Sequence, residues 1–394
     1  MRIYLDSAAT SILDPQVAEV MTKAMLELHG NPSSIHYEGR QVRNAIEEAR
    51  RSIARHLNAS TAEIFFTSGG TESNNMILKC AVRDLGVRRI ISSPLEHHCV
   101  GHTLEALAGN DHVKVEMVNI DAQGVVDYQD LEKRLQNTTE KTLVSLMHAN
   151  NEIGTMLDIE RVGDLCRLYG AYFHSDTVQT VGKFDFDLQK LPVHFISGAA
   201  HKFHGPKGIG FVYISGDVSL KPYIDGGAQE RNMRGGTENI YGIVGMAKAL
   251  DLAYQNKTSR KEYISELRTY FKEQLLQHIG DLQFNGVQEG TFLYTVLNVS
   301  FPASDKSSLL LLQMDIAGIS ASGGSACSSG AEKGSHVLEA IGADPQRKSI
   351  RFSLSWQNTK EEIDLVIQKL TKILEVPVGG GRVQRASESK SLKV

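Results

Sequence analysis

The chain has 394 residues, 42 Lys and Arg against 46 Asp and Glu, a formal charge of −4 and 41% hydrophobic residues. That length accommodates two domains of roughly 100–200 residues each, and so small a charge excludes a surface built for nucleic acid or anionic lipid by bulk electrostatics. No apolar run approaches the ~20 residues that span a bilayer, and residues 1–6 carry no signal-peptide hydrophobic region, so a cytoplasmic protein with reduced cysteines is expected.

Asp14 caps a helix that begins on Pro15 and lays Val17, Val20, Met21, Ala24, Met25 and Leu28 on one face. A second helix is predicted over about 41–57. A strand at Ile64–Thr67 leads through Ser68-Gly69 into a helix from Gly70. Strands at Arg89–Ser92 and 113–120 flank a helix near 100–107. A strand at 142–148, a helix at 159–169 and a strand at 171–176 continue the series, with further strands at 193–196 and 209–214. Such alternation predicts a mainly parallel sheet with helices on both faces. A long amphipathic stretch, 240–279, breaks the pattern. Strand 292–301, helix 307–317, strand 349–354 and helix 360–374 then read as a smaller α+β unit, against which the N-terminal helix is expected to pack. The expected organisation is a large α/β domain at 15–255 and a small α+β domain from 1–14 and 256–376. The tail, 377–394, holds Gly379-Gly380-Gly381 and then Ser, Lys and Arg without periodicity, and reads as disordered.

Ligands of such sheets gather beyond the carboxyl ends of the strands, and Thr67, Asn150, Asp176 and Lys202 all fall at predicted strand ends. Lys202, in Ala200-His201-Lys202-Phe203-His204-Gly205-Pro206, stands at a strand–turn junction suited to holding a carbonyl cofactor as a Schiff base. Asp176 places a carboxylate where a pyridinium nitrogen would need one. Thr67-Ser68-Gly69-Gly70-Thr71-Glu72-Ser73-Asn74-Asn75 joins strand to helix through glycines and hydroxyls. Free amides there make an anion seat or serve as a plain helix cap, and the Gly-Lys-Ser/Thr ending of a P-loop is missing.

The four cysteines form no disulfide framework. Cys80 and Cys166 follow helical periodicity and read as small buried hydrophobes. Cys99, in His97-His98-Cys99-Val100-Gly101-His102, lacks the spacing of metal-ligand pairs, so no metal site is expected. Cys327 lies among Ser322-Gly323-Gly324-Ser325 and Ser328-Ser329-Gly330, with no core to hide in, and is the candidate nucleophile.

Lys202 with its neighbours, Asp176-Thr177-Val178-Gln179 and Ser325-Ala326-Cys327-Ser328-Ser329-Gly330 together resemble the cysteine desulfurases. These are a fold-type I pyridoxal phosphate (PLP) family of the class V aminotransferase superfamily. The resemblance runs from Leu5-Asp6-Ser7-Ala8-Ala9-Thr10 to Ile350-Arg351-Phe352-Ser353-Leu354. Between them stand Asn31-Pro32-Ser33-Ser34, Glu96-His97-His98, Asn150-Asn151-Glu152-Ile153-Gly154 and Arg234-Gly235-Gly236-Thr237. It implies a large domain with a mainly parallel seven-stranded sheet plus a smaller α+β domain.

By the same resemblance Lys202 carries PLP, and Gly70, Thr71 and His201 hold its phosphate. His97 stacks on the pyridine ring, Asp176 keeps the ring nitrogen protonated and Gln179 bonds the phenolic oxygen. Asn151 and Arg351 bind the substrate carboxylate, a task suited to a bidentate guanidinium. Thr237 reaches the phosphate of the partner subunit, which implies a homodimer. The implied reaction converts L-cysteine to L-alanine and leaves a persulfide on Cys327. The spacing from Cys327 to Val337-Leu338 resembles the longer-loop group, which hands sulfur to proteins directly. The resemblance leaves the end user open between an iron–sulfur scaffold, a tRNA-thiolation protein and a cofactor pathway. A selenocysteine lyase, a PLP aminotransferase and a non-catalytic scaffold are the other readings. The aminotransferase would not need Cys327, and the scaffold would need none of Lys202, Asp176, His97 and Cys327.

Two departures stand out. Ala199 occupies a place where many members carry a serine that bonds the phosphate, removing one charge-assisted hydrogen bond of about 1.5–3 kcal/mol unless Ser197 or water replaces it. Ser355-Trp356 replaces a common Gly-Arg pair and is expected to set the only tryptophan beside Arg351 at the pocket rim.

Overall fold

Residues 2–136, 140–323 and 334–374 are described by the computed structural model. Seven strands build the larger sheet, in the order Ile64–Thr67, Gly210–Ile214, Phe195–Ala199, Tyr172–Asp176, Thr142–Ser145, Arg89–Ser92 and Lys114–Met117. Only Gly210–Ile214 runs against the others. Neighbouring residues on these strands feed opposite cores, as the two-residue repeat of a pleated strand requires. Phe66, Ile91, Val144, Phe173, Ile196 and Phe211 join one cluster, while Phe65, Ile90, Leu143, Phe195 and Val212 join the other. Sheets covered on both faces need such unbroken apolar runs.

Helices Tyr37–His56 and Ile240–Gln255 cover the first face through Val42, Ile46, Ile53, Met246 and Leu250. Gly70–Asp84 and His98–Asn110 cover the second through Leu78, Val82 and Leu104. The helix Pro15–Glu27 belongs to the first face, not to the smaller unit. Val17 enters that core, and Met21 lies so close to Gly245 that a Cβ there would approach its Sδ to 2.7 Å.

The smaller sheet is antiparallel, with Val296–Phe301 between Gln283–Asn285 and Lys348–Ser353. Helices Lys257–His278 and Lys360–Leu374 close over it, and Phe271 meets Phe352 edge-on with centroids 5.0 Å apart. A short parallel pair, Ile3–Tyr4 with Ile319–Ser320, joins the chain start to this core.

Several predicted spans are shorter or divided. The stretch 240–279 is two helices, Ile240–Gln255 and Lys257–His278, parted at Asn256, whose side-chain amide donates back to Leu252 O at 2.9 Å. The strand expected over 113–120 ends at Met117, and that over 142–148 ends at Ser145. Beyond Ser145 the chain leaves the regular ladder, although His148 N still reaches Asp176 O at 2.9 Å. The strand expected at 292–301 begins at Val296, and helix 307–317 divides into Asp305–Ser308 and Leu310–Ile316. Tyr128–Gln136 and Gln283–Asn285 are short elements that periodicity did not mark, while the helix at Val337-Leu338 spans His336–Ala340. Among the described residues no helix is long and apolar enough to cross a membrane. The tail at 377–394 and Cys327 lie outside the described residues.

Candidate active site

A cavity of about 250 Å³ opens at the carboxyl ends of the large-sheet strands. Gly70, Thr71, Asp176, Gln179, His201 and Lys202 line it from the sheet's own loops, His97 from a helix start, and Asn151 and Arg351 from the side of the smaller sheet. The fold thus brings together every described residue given a catalytic, cofactor or substrate role from sequence except Thr237. Thr237 is exposed and lines no part of this cavity.

The cavity floor begins where Ile64–Thr67 passes into the helix Gly70–Asp84. Gly69 takes φ +153°, a conformation that favours glycine. It offers the helix no side-chain cap, so the first-turn amides stay free for an anion. A Cβ on Gly70 would lie 2.7 Å from Val178 Cγ2, so the seat is closed to any side chain there. Glu72, the carboxylate of this turn, is held aside by Ser68 N at 2.9 Å and Arg234 Nε at 2.9 Å. His201 stands nearby with Nδ1 3.2 Å from Thr10 Oγ1. Burial, followed by Lys202, Lys207 and Lys183, pushes its pKa down to about 4, so the imidazole is neutral.

Asp176 is anchored at both oxygens. One accepts Val178 N–H at 2.9 Å and the other accepts Asn74 Nδ2–H at 2.7 Å. Behind Asn74 stands His174, with Nε2 3.2 Å from Asn74 Oδ1 and Nδ1 2.9 Å from Ser145 Oγ. Burial pushes His174 down to about 4, so this chain of polar groups carries no second charge. A carboxylate fixed in this way can hold a proton on a facing aromatic nitrogen.

His97 caps the helix His98–Asn110. Its Nδ1 accepts Cys99 N–H at 3.2 Å and lies 3.0 Å from Cys99 Sγ. With Nδ1 occupied as acceptor, the neutral ring carries its proton on Nε2. Burial lowers the His97 pKa, against the opposing pull of Asp176. Among the described residues no group of His, Cys, Asp and Glu could hold a metal ion.

Lys202 follows the strand Phe195–Ala199 in one tight turn, and its Nζ donates to Ala8 O at 2.7 Å and Ala9 O at 2.8 Å. Gln179 Nε2 donates to the same Ala8 O at 3.0 Å. Arg351, 1% exposed, donates through Nη1 to Asn151 O at 3.0 Å and through Nη2 to Asp6 Oδ1 at 2.7 Å. Its Nε is buried with no partner, and the guanidinium side chain lines the cavity. Asn150, expected at the shared address, instead shapes the turn. Its Oδ1 accepts Glu152 N and Ile153 N at 2.8 and 3.0 Å, and the cavity is left to Asn151. Free helix amides, an anchored carboxylate, a lysine amine, a neutral imidazole and a glutamine amide are the donor set that pyridoxal phosphate needs, and the residues present fit it.

Two expectations are corrected. Ser197 does not stand in for the serine missing at Ala199, because its hydroxyl is buried without a partner and lines no part of the cavity. Trp356 is not at the rim beside Arg351. A turn in which Ser355 N donates to Asn358 Oδ1 at 2.9 Å redirects the chain, and the indole packs under Arg260, 4.7 Å away, and against His204 at 5.7 Å. Sequence reasoning also missed Asn74, Cys99 and His336. Asn74 sat inside the anion-seat motif, four residues after Gly70 and so on the same helix face. Cys99 drew attention only as a failed metal ligand, and it lines the cavity against His97. Nothing local marked His336, whose Nε2 reaches Glu96 O at 2.9 Å.

The aminotransferase class-V family profile matches residues 3–366. A cysteine desulfurase IscS from Dictyoglomus turgidum is 43% identical over 380 residues, covering 95% of this chain and 94% of that protein. A putative cysteine desulfurase IscS 1 from Bacillus subtilis is 39% identical over 380 residues, covering 95% and 99%. Among solved structures, a NifS-like protein superposes with a TM-score of 0.88 at 38% identity, over 95% of this chain and 100% of the other.

Proposed function

Because this chain belongs to the aminotransferase class-V family, as a cysteine desulfurase that uses pyridoxal phosphate, we propose that Lys202 holds the cofactor and Cys327 takes the sulfur of L-cysteine. The observation that carries these roles is the convergence of Lys202, the anchored Asp176 and the free helix start at Gly70–Thr71 on one cavity.

When bound, PLP supplies an electron sink for negative charge at the substrate's α-carbon. Gly70, Thr71 and His201 seat its phosphate. Asp176 keeps a proton on the ring nitrogen, and Asn74 and Val178 N hold that carboxylate still. His97 lies against the ring with its proton on Nε2, where it exchanges protons with the substrate. Gln179 spends one amide hydrogen on Ala8 O and has the other for the phenolic oxygen. Arg351 and Asn151 bind the substrate carboxylate, and the Lys202 amine takes the α-proton. The Cys327 thiolate bonds to the substrate sulfur as the carbon–sulfur bond breaks, and the released pair stays with carbon. Protonation there gives L-alanine, and Cys327 keeps the extra sulfur as a persulfide.

The working unit in this reading is a homodimer, with Thr237 serving the partner subunit's phosphate; its exposure in one chain fits that role. The persulfide passes to acceptor proteins such as an iron–sulfur scaffold in the cytoplasm. A large domain at 15–255 and a small one from 1–14 and 256–376 accord with the separate apolar cores around Phe173 and Phe271. The test is incubation of the PLP-loaded protein with L-cysteine and a reductant. Sulfide and alanine should form in equal amounts, and a parallel incubation without reductant should leave one added sulfur on Cys327 by mass spectrometry. Sulfide accompanied by pyruvate and ammonia in place of alanine would replace this reading with a β-eliminating lyase.

A further inference from the structure

Behind Lys202 lies a second cavity of about 40 Å³, which shares Ala8, Gln179 and Lys202 with the first. Lys183, Lys257 and Arg260 line it, and among the described residues no carboxylate does. Lys183 gives two of its hydrogens to Gln179 O and Lys202 O, at 2.9 and 3.0 Å. Lys257 is matched by the exposed Asp185, but Arg260 has only a loose contact of 3.8 Å with Asp14. Two more donors belong to this wall, Trp356 Nε1 and Ser7 Oγ, both buried without a hydrogen-bond partner.

A wall of cations and orphaned donors is the complement of an anion. Each buried unsatisfied donor costs about 1–3 kcal/mol, and unmatched buried charge costs more. Water could turn its lone pairs toward one or two of these groups, but it would add no negative charge beside Arg260, whose contact with Asp14 is a loose 3.8 Å. Burial and the neighbouring Lys202 push Lys183 down to about 7, and burial lowers Arg260, directions that negative charge between them reverses. At about 10–15 Å³ for one water, the volume suits a few waters or a single small ion and leaves no room for a phosphate ester. We propose that this cavity is a binding site for a small monovalent anion of halide size, held by Lys183, Arg260, Trp356 Nε1–H and the Ser7 hydroxyl. The departure at Trp356 then has a physical role, because its indole supplies a donor and a ring for Arg260 to lie on.

Trp356 is the only tryptophan of the chain, so its emission reports on this site alone. In the PLP-loaded protein at constant ionic strength, sodium bromide should quench that emission along a saturating curve, and sodium chloride should reverse the quench by competition. Arg260→Met should raise the half-saturating bromide concentration about tenfold or more, the loss of one charge-assisted bond. Wild-type crystals soaked in bromide should give an anomalous peak inside the cavity, a readout independent of whether the variant folds. Quenching that rises linearly and ignores chloride would overturn the assignment, as would a cavity without anomalous signal at bromide concentrations that saturate the emission.

Discussion

Glu230 is a single buried charge that holds a strained stretch of backbone. Glu230, Arg231 and Asn232 have φ of 44°, 56° and 64°, three non-glycine residues in the left-handed region, each costing about 1–3 kcal/mol unless the surroundings hold it. What holds it is a buried, two-pronged pair, Arg50 Nη1 and Nη2 to Glu230 at 2.8 and 2.9 Å. Phe66 N adds a third bond at 2.8 Å. Both side chains are only 2–3% exposed. In Glu230→Gln the new amide turns its NH₂ toward an Arg50 N–H in either orientation, and in one of them toward Phe66 N–H as well, donor against donor. Removing one charge of a buried pair costs about 3–5 kcal/mol, which at about 1.2 °C per kcal/mol for a chain of 394 residues means a fall of about 4–6 °C in Tm. Thr237 lies seven residues on, so in the proposed homodimer the variant should also weaken dimerisation and PLP binding. Thermal and urea melts of Glu230→Gln, Arg50→Met and the double variant Arg50→Met/Glu230→Leu form the assay. The double variant should recover most of the loss, because neither charge is then left alone. A single-variant loss below about 1 kcal/mol, or a double variant no better than the sum of the singles, would show that the pair does not hold this segment.

Lys202→Ala should abolish turnover and covalent PLP attachment; borohydride reduction of the wild type should label the peptide carrying Lys202, and label on another lysine would move the assignment. Gly70→Ala should weaken PLP binding about 10–100-fold, an expected 1.4–2.8 kcal/mol of overpacking from a Cβ that meets Val178, read by cofactor titration of the apoprotein. Cys327→Ser should still bind cysteine, seen as a change in the visible spectrum, yet release almost no sulfide. His148 and His174 are pushed from 6.5 to about 4 by burial, so the unfolded chain binds protons before the folded one does. Their contribution to stability is complete above about pH 6.5 and is lost as pH falls toward 4, with a slope of up to about 2.7 kcal/mol per pH unit for the two sites. Urea midpoints at pH 7.5, 6 and 5 measure it, and a flat profile down to pH 5 would mean that these rings are not buried neutral.

The large sheet was legible because strands covered on both faces must be apolar throughout, as in Ile64–Thr67 and Phe195–Ala199. Lys202, Asp176 and the Gly70 seat could be read as one address because each follows such a strand. Signals failed where a partner is remote or an element is polar. Lys202 rests on carbonyls more than 190 residues away, and no local pattern reports that. Tyr128–Gln136 buries only Leu131 and Leu135, too few apolar positions to declare a helix. The second helix begins at Tyr37, ahead of the expected start, because its cap is His36, whose Nδ1 accepts Gly39 N at 3.3 Å, and histidine is not a usual cap. Trp356 was misplaced because the turn after Ser353 depends on Asn358, a bond that periodicity does not encode.

The tether on Lys202 has a consequence for the order in which this protein is made. Residues 3–9 leave the ribosome early, yet their partners are translated near the far end: Ile3 pairs with Ile319, Ser7 N reaches Ser353 O at 3.3 Å, and Asp6 pairs with Arg351. A nascent chain that has completed the large sheet already possesses Lys202, but of the bonds that fix residues 3–9 it has only the one from Gln179 to Ala8 O and lacks those from the smaller sheet. Pairings of such long sequence separation form late. The amine's rest position is therefore completed only after residue 353 has emerged, when Arg351, the residue proposed to bind the substrate carboxylate, is present as well.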